Sequence, residues 1–128
     1  MDSSPIEIIR QIIKLYNEKG VKWKQSSEKH FGRAHLDKRK RRKDLPENWS
    51  LEDYNKLIQN IINGDSNDIH LYYLETFSQR YIVFSDRVWI VIVGENTVME
   101  SCMPGNPSNY FSRNPGYFYL GKVKDVLK

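Results

Sequence analysis

Apolar residues recur at helical spacing in two stretches of the N-terminal half, and after Gly64 they give way to short runs rich in β-branched and aromatic residues. Ile6, Ile9, Ile13 and Tyr16, widened by Ile8, Ile12 and Leu15, form one stripe. This predicts an amphipathic helix over residues 5–19 that covers an apolar surface. Ser4 is its N-cap, Pro5 its first helical residue, Glu7 the capping-box partner and Gly20 its stop. Leu51, Tyr54, Leu57, Ile58, Ile61 and Ile62 form the other stripe, opened by the capping-box pattern Ser50-Leu51-Glu52-Asp53 and closed by Asn63-Gly64. Between the two, a helix of weaker pattern is expected to start at Ser26-Ser27-Glu28. It ends before Leu45-Pro46, because proline disfavours helix in the residue ahead of it, and Gly32 weakens it locally.

Residues 69–76, 80–85, 88–93 and 97–103 read as four successive strands. Their separators are short enough for hairpins, so the sheet should be an antiparallel meander. Val88-Trp89-Ile90-Val91-Ile92-Val93 is apolar at every position and reads as the central strand. Residues 104–116 are loop-like, with Pro104-Gly105, Asn106-Pro107 and Pro115-Gly116 as breakers, and a fifth strand follows over residues 117–120. Helices followed by strands imply an α+β domain, with N-terminal helices packed on one face of a four- to five-stranded antiparallel sheet. At 128 residues the chain is expected to form a single domain, with a helical part over residues 1–64 and a sheet part over residues 65–128.

Charge narrows the picture. The net charge is only +4, yet Lys29, Arg33, Lys38, Arg39, Lys40, Arg41, Arg42 and Lys43 are eight of the 20 basic residues. Without those eight and Asp37, the rest of the chain holds 12 basic and 15 acidic residues. The positive charge is therefore localised, as expected of a binding face. With Cys102 as the only cysteine, an intramolecular disulfide and a cysteine-rich zinc site are excluded, and a reducing compartment fits best. No apolar run approaches the roughly 18 residues of a membrane span, and no membrane role is expected.

Two of the three histidines, His30 and His35, lie just ahead of the basic run. Imidazole moves protons near neutral pH, and clustered guanidinium and ammonium groups attract phosphate, so the segment suggests chemistry on a nucleic acid backbone. On a regular helix the two histidines are rotated by roughly 140° from each other, since each residue turns about 100°. Either one points into a site, or Gly32 marks a break that lets both converge. A metal pair would favour i, i+4 spacing with carboxylates nearby, so no metal and no cofactor are expected. Contacts from Lys38 to Lys43 give affinity and salt dependence rather than base identity. A solvated helix end favoured by the macrodipole, or a localisation signal in a eukaryotic host, accounts for the same run. Arg113 and Tyr117 lie in or beside the late loop, where basic and aromatic groups suit single-stranded RNA, although Tyr117 also fits as a plain strand aromatic.

This layout resembles the barnase, EndoU, colicin and RelE-type (BECR) nuclease superfamily, in its phage-associated and polymorphic-toxin branches. His30-Phe31-Gly32-Arg33-Ala34-His35 is similar to the family's H-x-x-x-x-H helix pattern, and the segments at Arg80, Val88 and Val98 to Pro104 are similar to its core strands. Gly32 and Cys102-Met103 depart from the family pattern. The resemblance covers roughly residues 27–104. It implies metal-independent RNA cleavage, with a base deprotonating a ribose 2′-hydroxyl that attacks the adjacent phosphate. It also implies His30 and His35 as acid and base, Arg33 and Arg80 as phosphate stabilisers, and Ser101 as an orienting group. Lys29 joins the basic run in holding RNA, whether tRNA, mRNA or rRNA. Implied partners are a cognate immunity protein or antitoxin. The implied site of action is cytoplasmic, with secretion or delivery as part of a longer protein as a further option. Two competing readings are a non-catalytic nucleic-acid-binding protein using the basic helix, and a RelE-like ribosome-dependent mRNA interferase.

Overall fold

The structure, a computed structural model, describes residues 4–107 and 116–127. Three helices, α1 (Pro5–Lys19), α2 (Phe31–Arg41) and α3 (Leu51–Asn63), precede the strands β1 (Asp68–Leu74), β2 (Gln79–Ser85), β3 (Trp89–Gly94), β4 (Met99–Pro104) and β5 (Phe118–Lys122). A 3-10 turn, Glu75–Phe77, joins β1 to β2, and a single turn of helix, α4 (Val123–Val126), follows β5. The architecture is the expected α+β one, with helices N-terminal to an antiparallel sheet.

The outer helices form where their caps place them. Ser4 accepts the Glu7 N–H at 3.2 Å, while Ser50 and Asp53 exchange hydrogen bonds at 3.2 and 2.9 Å. Each such cap satisfies helix N–H groups that have no intrahelical partner. Ile8, Ile9, Ile12 and Tyr16 of α1 and Tyr54, Ile58, Ile61 and Ile62 of α3 are buried against Ile69, Ile82, Phe84, Val91 and Val93 on one face of the sheet, whereas Ile6, at the start of the expected stripe, is exposed. Tyr16 donates its hydroxyl to the Thr97 carbonyl at 2.7 Å, and Tyr54 donates to the Cys102 carbonyl. Burial raises the pKa of both phenols, so both keep the proton that makes these bonds.

The weakly patterned helix departs from expectation at both ends. It starts at Phe31 rather than at Ser26, because the preceding residues are held in extended backbone. Lys24 N–H bonds to the Met99 carbonyl and Met99 N–H to the Lys22 carbonyl, adding Trp23 to the β4 edge as a parallel bridge. Gln25 and His30 then bridge antiparallel across a tight turn. At the other end the helix stops at Arg41, and Lys43 turns into the left-handed region at φ 61°. Lys43 N–H bonds to the Lys40 carbonyl and Asp44 N–H to the Arg39 carbonyl, the paired bonds of a Schellman cap.

The sheet order is β4-β3-β2-β1-β5, and every neighbouring pair is antiparallel. The first four strands form the expected meander, but β5 returns to pair with β1. That return makes β2 the middle strand, not β3. The face turned away from the helices is also covered, with Tyr72, Tyr81, Val83, Ile90 and Ile92 buried in a second cluster. Burial on both faces explains why β3 is apolar throughout instead of alternating.

Candidate functional site

His30 is the N-cap of α2, and its Nδ1 accepts the Arg33 N–H at 3.2 Å. His35 stacks on Trp23, with ring centroids 5.6 Å apart and planes at 24°, and Trp23 stacks in turn on Tyr54. Burial, and then the charges of Arg39, Lys38 and Lys29, lower the His35 pKa below its ordinary value. Gly32 does not break the helix; it is the second residue of α2, where the indole rests. A Cβ there would stand 2.7 Å from Trp23 Cδ1 and 2.8 Å from His30 Cε1. The two histidines thus gather around one tryptophan, as capping and packing groups.

The other residues assigned to that chemistry lie elsewhere. Arg80 is paired with Glu95, its Nε and Nη2 each 3.0 Å from Oε2. Ser101 pairs in register with Ile92, so it lies on the sheet face turned away from α2, on the other side from His30 and His35. Arg33 shares α2 with His35, but Ser101 lies across the sheet from both histidines and Arg80 is engaged by Glu95, so the five residues do not share one face.

The basic run divides. Lys38, Arg41, Arg42 and Lys43 are exposed, with Lys40 half-buried. Arg39 is only 4% exposed, on the inward stripe of α2 that also carries Gly32 and Leu36. Its Nη1 meets Asp44 Oδ2 at 3.2 Å, and its Nε has no hydrogen-bond partner. Arg39 is therefore an interior residue rather than a phosphate contact. A signal for this existed, since it stands three residues after Leu36, the one aliphatic anchor of the helix. Lys29 sits with its ammonium 4.8 Å from the Phe31 ring centroid. Arg113 lies outside the described residues.

A different group of side chains converges at the opposite edge of the sheet. Asp68, His70 and Tyr72 alternate on the face of β1 turned away from the helices, and pairing with β5 brings Tyr119 directly opposite His70. Tyr117 precedes β5, and its hydroxyl lies 2.8 Å from His70 Nδ1. Tyr119 donates its hydroxyl to Asp68 Oδ1 at 2.8 Å, while Arg87, from the β2–β3 turn, places its Nε 3.2 Å from Asp68 Oδ2. Asp68, His70, Arg87, Tyr117 and Tyr119, with Asn106 and Pro107, line a cleft of about 540 Å³, a volume suited to a small ligand or one unit of a polymer.

The electrostatics of this cleft suit proton transfer next to an anion. Burial lowers the His70 pKa despite the opposing charge of Asp68, so the ring is biased toward its neutral form. Burial alone would raise the Asp68 pKa. The hydrogen bonds from Tyr119 and Arg87 and the charges of Arg87 and Lys122 outweigh it, holding the carboxyl below the ordinary range. Tyr119 is raised by its own desolvation and by that bond to Asp68. Among the described residues His70 Nε2 has no hydrogen-bond partner, and the Arg87 side chain is 72% exposed beyond its contact with Asp68. The outer amines of that guanidinium are therefore open to a ligand, whereas His70 is only 4% exposed and is reached only from within the cleft it lines.

Among the described residues, Tyr117 is the one sequence-based site candidate that lines this cleft. His70, Asp68 and Arg87 were missed, although the even spacing of Asp68, His70 and Tyr72 within a strand already grouped them on one face. Among the described residues no cluster of His, Cys, Asp and Glu is arranged to hold a metal ion, and no helix is long and apolar enough to cross a membrane. Comparison with family models, curated proteins and solved structures yields no match for this chain.

Proposed function

We propose that this protein is a metal-independent endoribonuclease of BECR type whose reacting groups lie in the His70 cleft rather than on α2. The observation that carries the reading is a single arrangement. A histidine of lowered pKa, fixed through Nδ1 by Tyr117, shares a cleft with an arginine whose outer amines face solvent. In this scheme His70 Nε2 takes the proton of a ribose 2′-hydroxyl, and the oxygen so formed attacks the neighbouring phosphate. Arg87 offsets the charge that accumulates on the phosphate oxygens, and Asp68 holds Arg87 and Tyr119 in place. The leaving 5′-oxygen is protonated from solvent. The order of three helices followed by a β-meander supports the same reading.

The test is incubation of the purified chain with total RNA in EDTA, followed by mapping of new ends. Cyclic-phosphate ends are expected, reduced about 10²- to 10⁴-fold in rate by His70→Gln, the usual range for loss of a general base. His35→Gln should cleave at close to the parent rate. Cleavage that needs Mg²⁺, or loss of activity in His35→Gln with His70→Gln unaffected, would overturn the assignment. The second reading, a non-catalytic nucleic-acid binder, is favoured by the exposed cations Lys38, Arg41, Arg42 and Lys43 at the end of α2. It predicts salt-sensitive binding with the RNA left intact.

A further inference from the structure

A second recess, separate from the His70 cleft, lies where the extended segment 22–25 meets the turn that joins β1 to β2. It measures about 360 Å³, and Trp23, Lys24, Phe77, Tyr81 and Glu100 are among its walls. Phe77 is 62% exposed, and the 3-10 turn that carries it buries no residue. The ring is therefore held out at a hairpin tip where it supports no core. The Lys24 ammonium lies 5.7 Å from the Phe77 ring centroid and 5.4 Å from that of Phe31, and the Lys29 ammonium lies 4.8 Å from Phe31. Two aromatic faces and two cations thus alternate across one surface. Glu100 meets Lys24 only at 3.7 Å, with the Lys24 side chain 43% exposed, so this ion pair leaves the ammonium accessible to solvent.

We propose that this groove binds an unpaired nucleotide of single-stranded RNA, with the base stacked on Phe77 and the flanking phosphates against Lys24 and Lys29. The inference rests on the reading of the chain as RNA-directed and names the kind of RNA it takes. A base offers a flat π-face of any sequence and its backbone offers regularly spaced negative charge, which is what alternating aromatic and ammonium groups recognise. A duplex keeps its bases stacked on each other and has no free face for Phe77. Tyr81 connects the two sites: it lines this groove and stacks on Tyr72, with centroids 5.3 Å apart, and Tyr72 shares the face of β1 that carries His70.

Binding of a short labelled 2′-O-methyl RNA strand, which cannot be cleaved through its 2′-oxygen, is measured by fluorescence anisotropy and compared with the duplex of the same sequence. The strand should bind more tightly than the duplex. Phe77→Ala should weaken strand binding by at least about fivefold, the smallest loss expected for one stacked base, and Phe77→Tyr should restore it. Lys24→Gln should flatten the logarithmic salt dependence by about 0.7. Equal affinity for strand and duplex, or a Phe77→Ala variant that binds like the parent, overturns the proposal. Because the probe resists cleavage, Phe77-dependent binding without RNase activity removes the nuclease reading alone. Cleavage through His70 with no effect of Phe77→Ala removes the groove alone.

Discussion

Replacing Gly32 by alanine sets helix propensity against packing, and the structure decides the sign. In an exposed helix interior the change is worth about 1 kcal/mol in favour of alanine. Here the new methyl carbon would meet Trp23 Cδ1 and Cγ at 2.7 Å and His30 Cε1 at 2.8 Å, against a comfortable carbon–carbon separation of about 3.5–4.0 Å. Close to 1 Å must be found, and Trp23 has little freedom to supply it. It is 5% exposed, stacked between Tyr54 and His35, tied through Nε1 to Asn55 at 2.7 Å, and flanked by backbone bonds to Met99. The His30 ring can rotate away, but only by giving up its cap on Arg33 N–H. Overpacking of this kind costs about 1–3 kcal/mol and a lost cap about 0.5–2 kcal/mol. Together, less the propensity gain, these leave a net loss of about 0.5–4 kcal/mol. For a chain of this size that is a fall in Tm of about 2–15 °C. Urea midpoints and thermal melts of the two proteins measure it, and the penalty should shrink in a Trp23→Leu background, where the obstruction is gone. If Gly32→Ala is as stable as the parent or more so, the close approach of the indole is not what this glycine serves.

Stability should also respond to pH with a defined sign. The folded pKa values of His35 and His70 lie below the ordinary 6.5. As pH falls through 6.5 the unfolded chain therefore takes up protons that the folded chain resists. Stability is expected to be flat above about pH 7 and to decline between pH 6.5 and the lowered folded values. The His35→Gln, His70→Gln double variant should lose that decline in urea titrations at several pH values; a parent protein that gains stability on acidification through this window contradicts it. Asp68 acts in a separate, more acidic window, contributing above the ordinary carboxyl pKa and losing its effect as pH falls through its own lowered value. At the Arg39–Asp44 pair, Asp44→Ala should cost about 1–3 kcal/mol by leaving an arginine side chain only 5% exposed without its partner, whereas Arg39→Met should be close to neutral. Denaturation midpoints that order the two variants the other way would refute this.

Much of the scaffold was legible in the sequence. The Ile and Leu stripes of α1 and α3, the Ser4 and Ser50 caps and the β-branched runs that became β1 to β4 are short-range signals. They record which backbone conformation each segment prefers and which side it buries, and the observed elements follow them to within a few residues. The segment around α2 was misread because its start is set by a distant partner. Residues 22–25 lie along the β4 edge, and no local propensity reports that attachment.

The functional surface was decided by pairings that skip along the chain. His70 meets Tyr117 across 47 residues and Asp68 meets Tyr119 across 51, only because β5 returns past three strands to the free edge of β1. The basic run looked uniform as a string of charges, yet one turn of helix sends Arg39 inward to Asp44 and leaves its neighbours in solvent. Periodicity and capping are properties of consecutive residues, so the sequence by itself determined α1, α3, the meander and the localised charge. Which histidine shares a cleft with an arginine depends on strand order and on which face is buried, and those are settled only when the whole sheet closes.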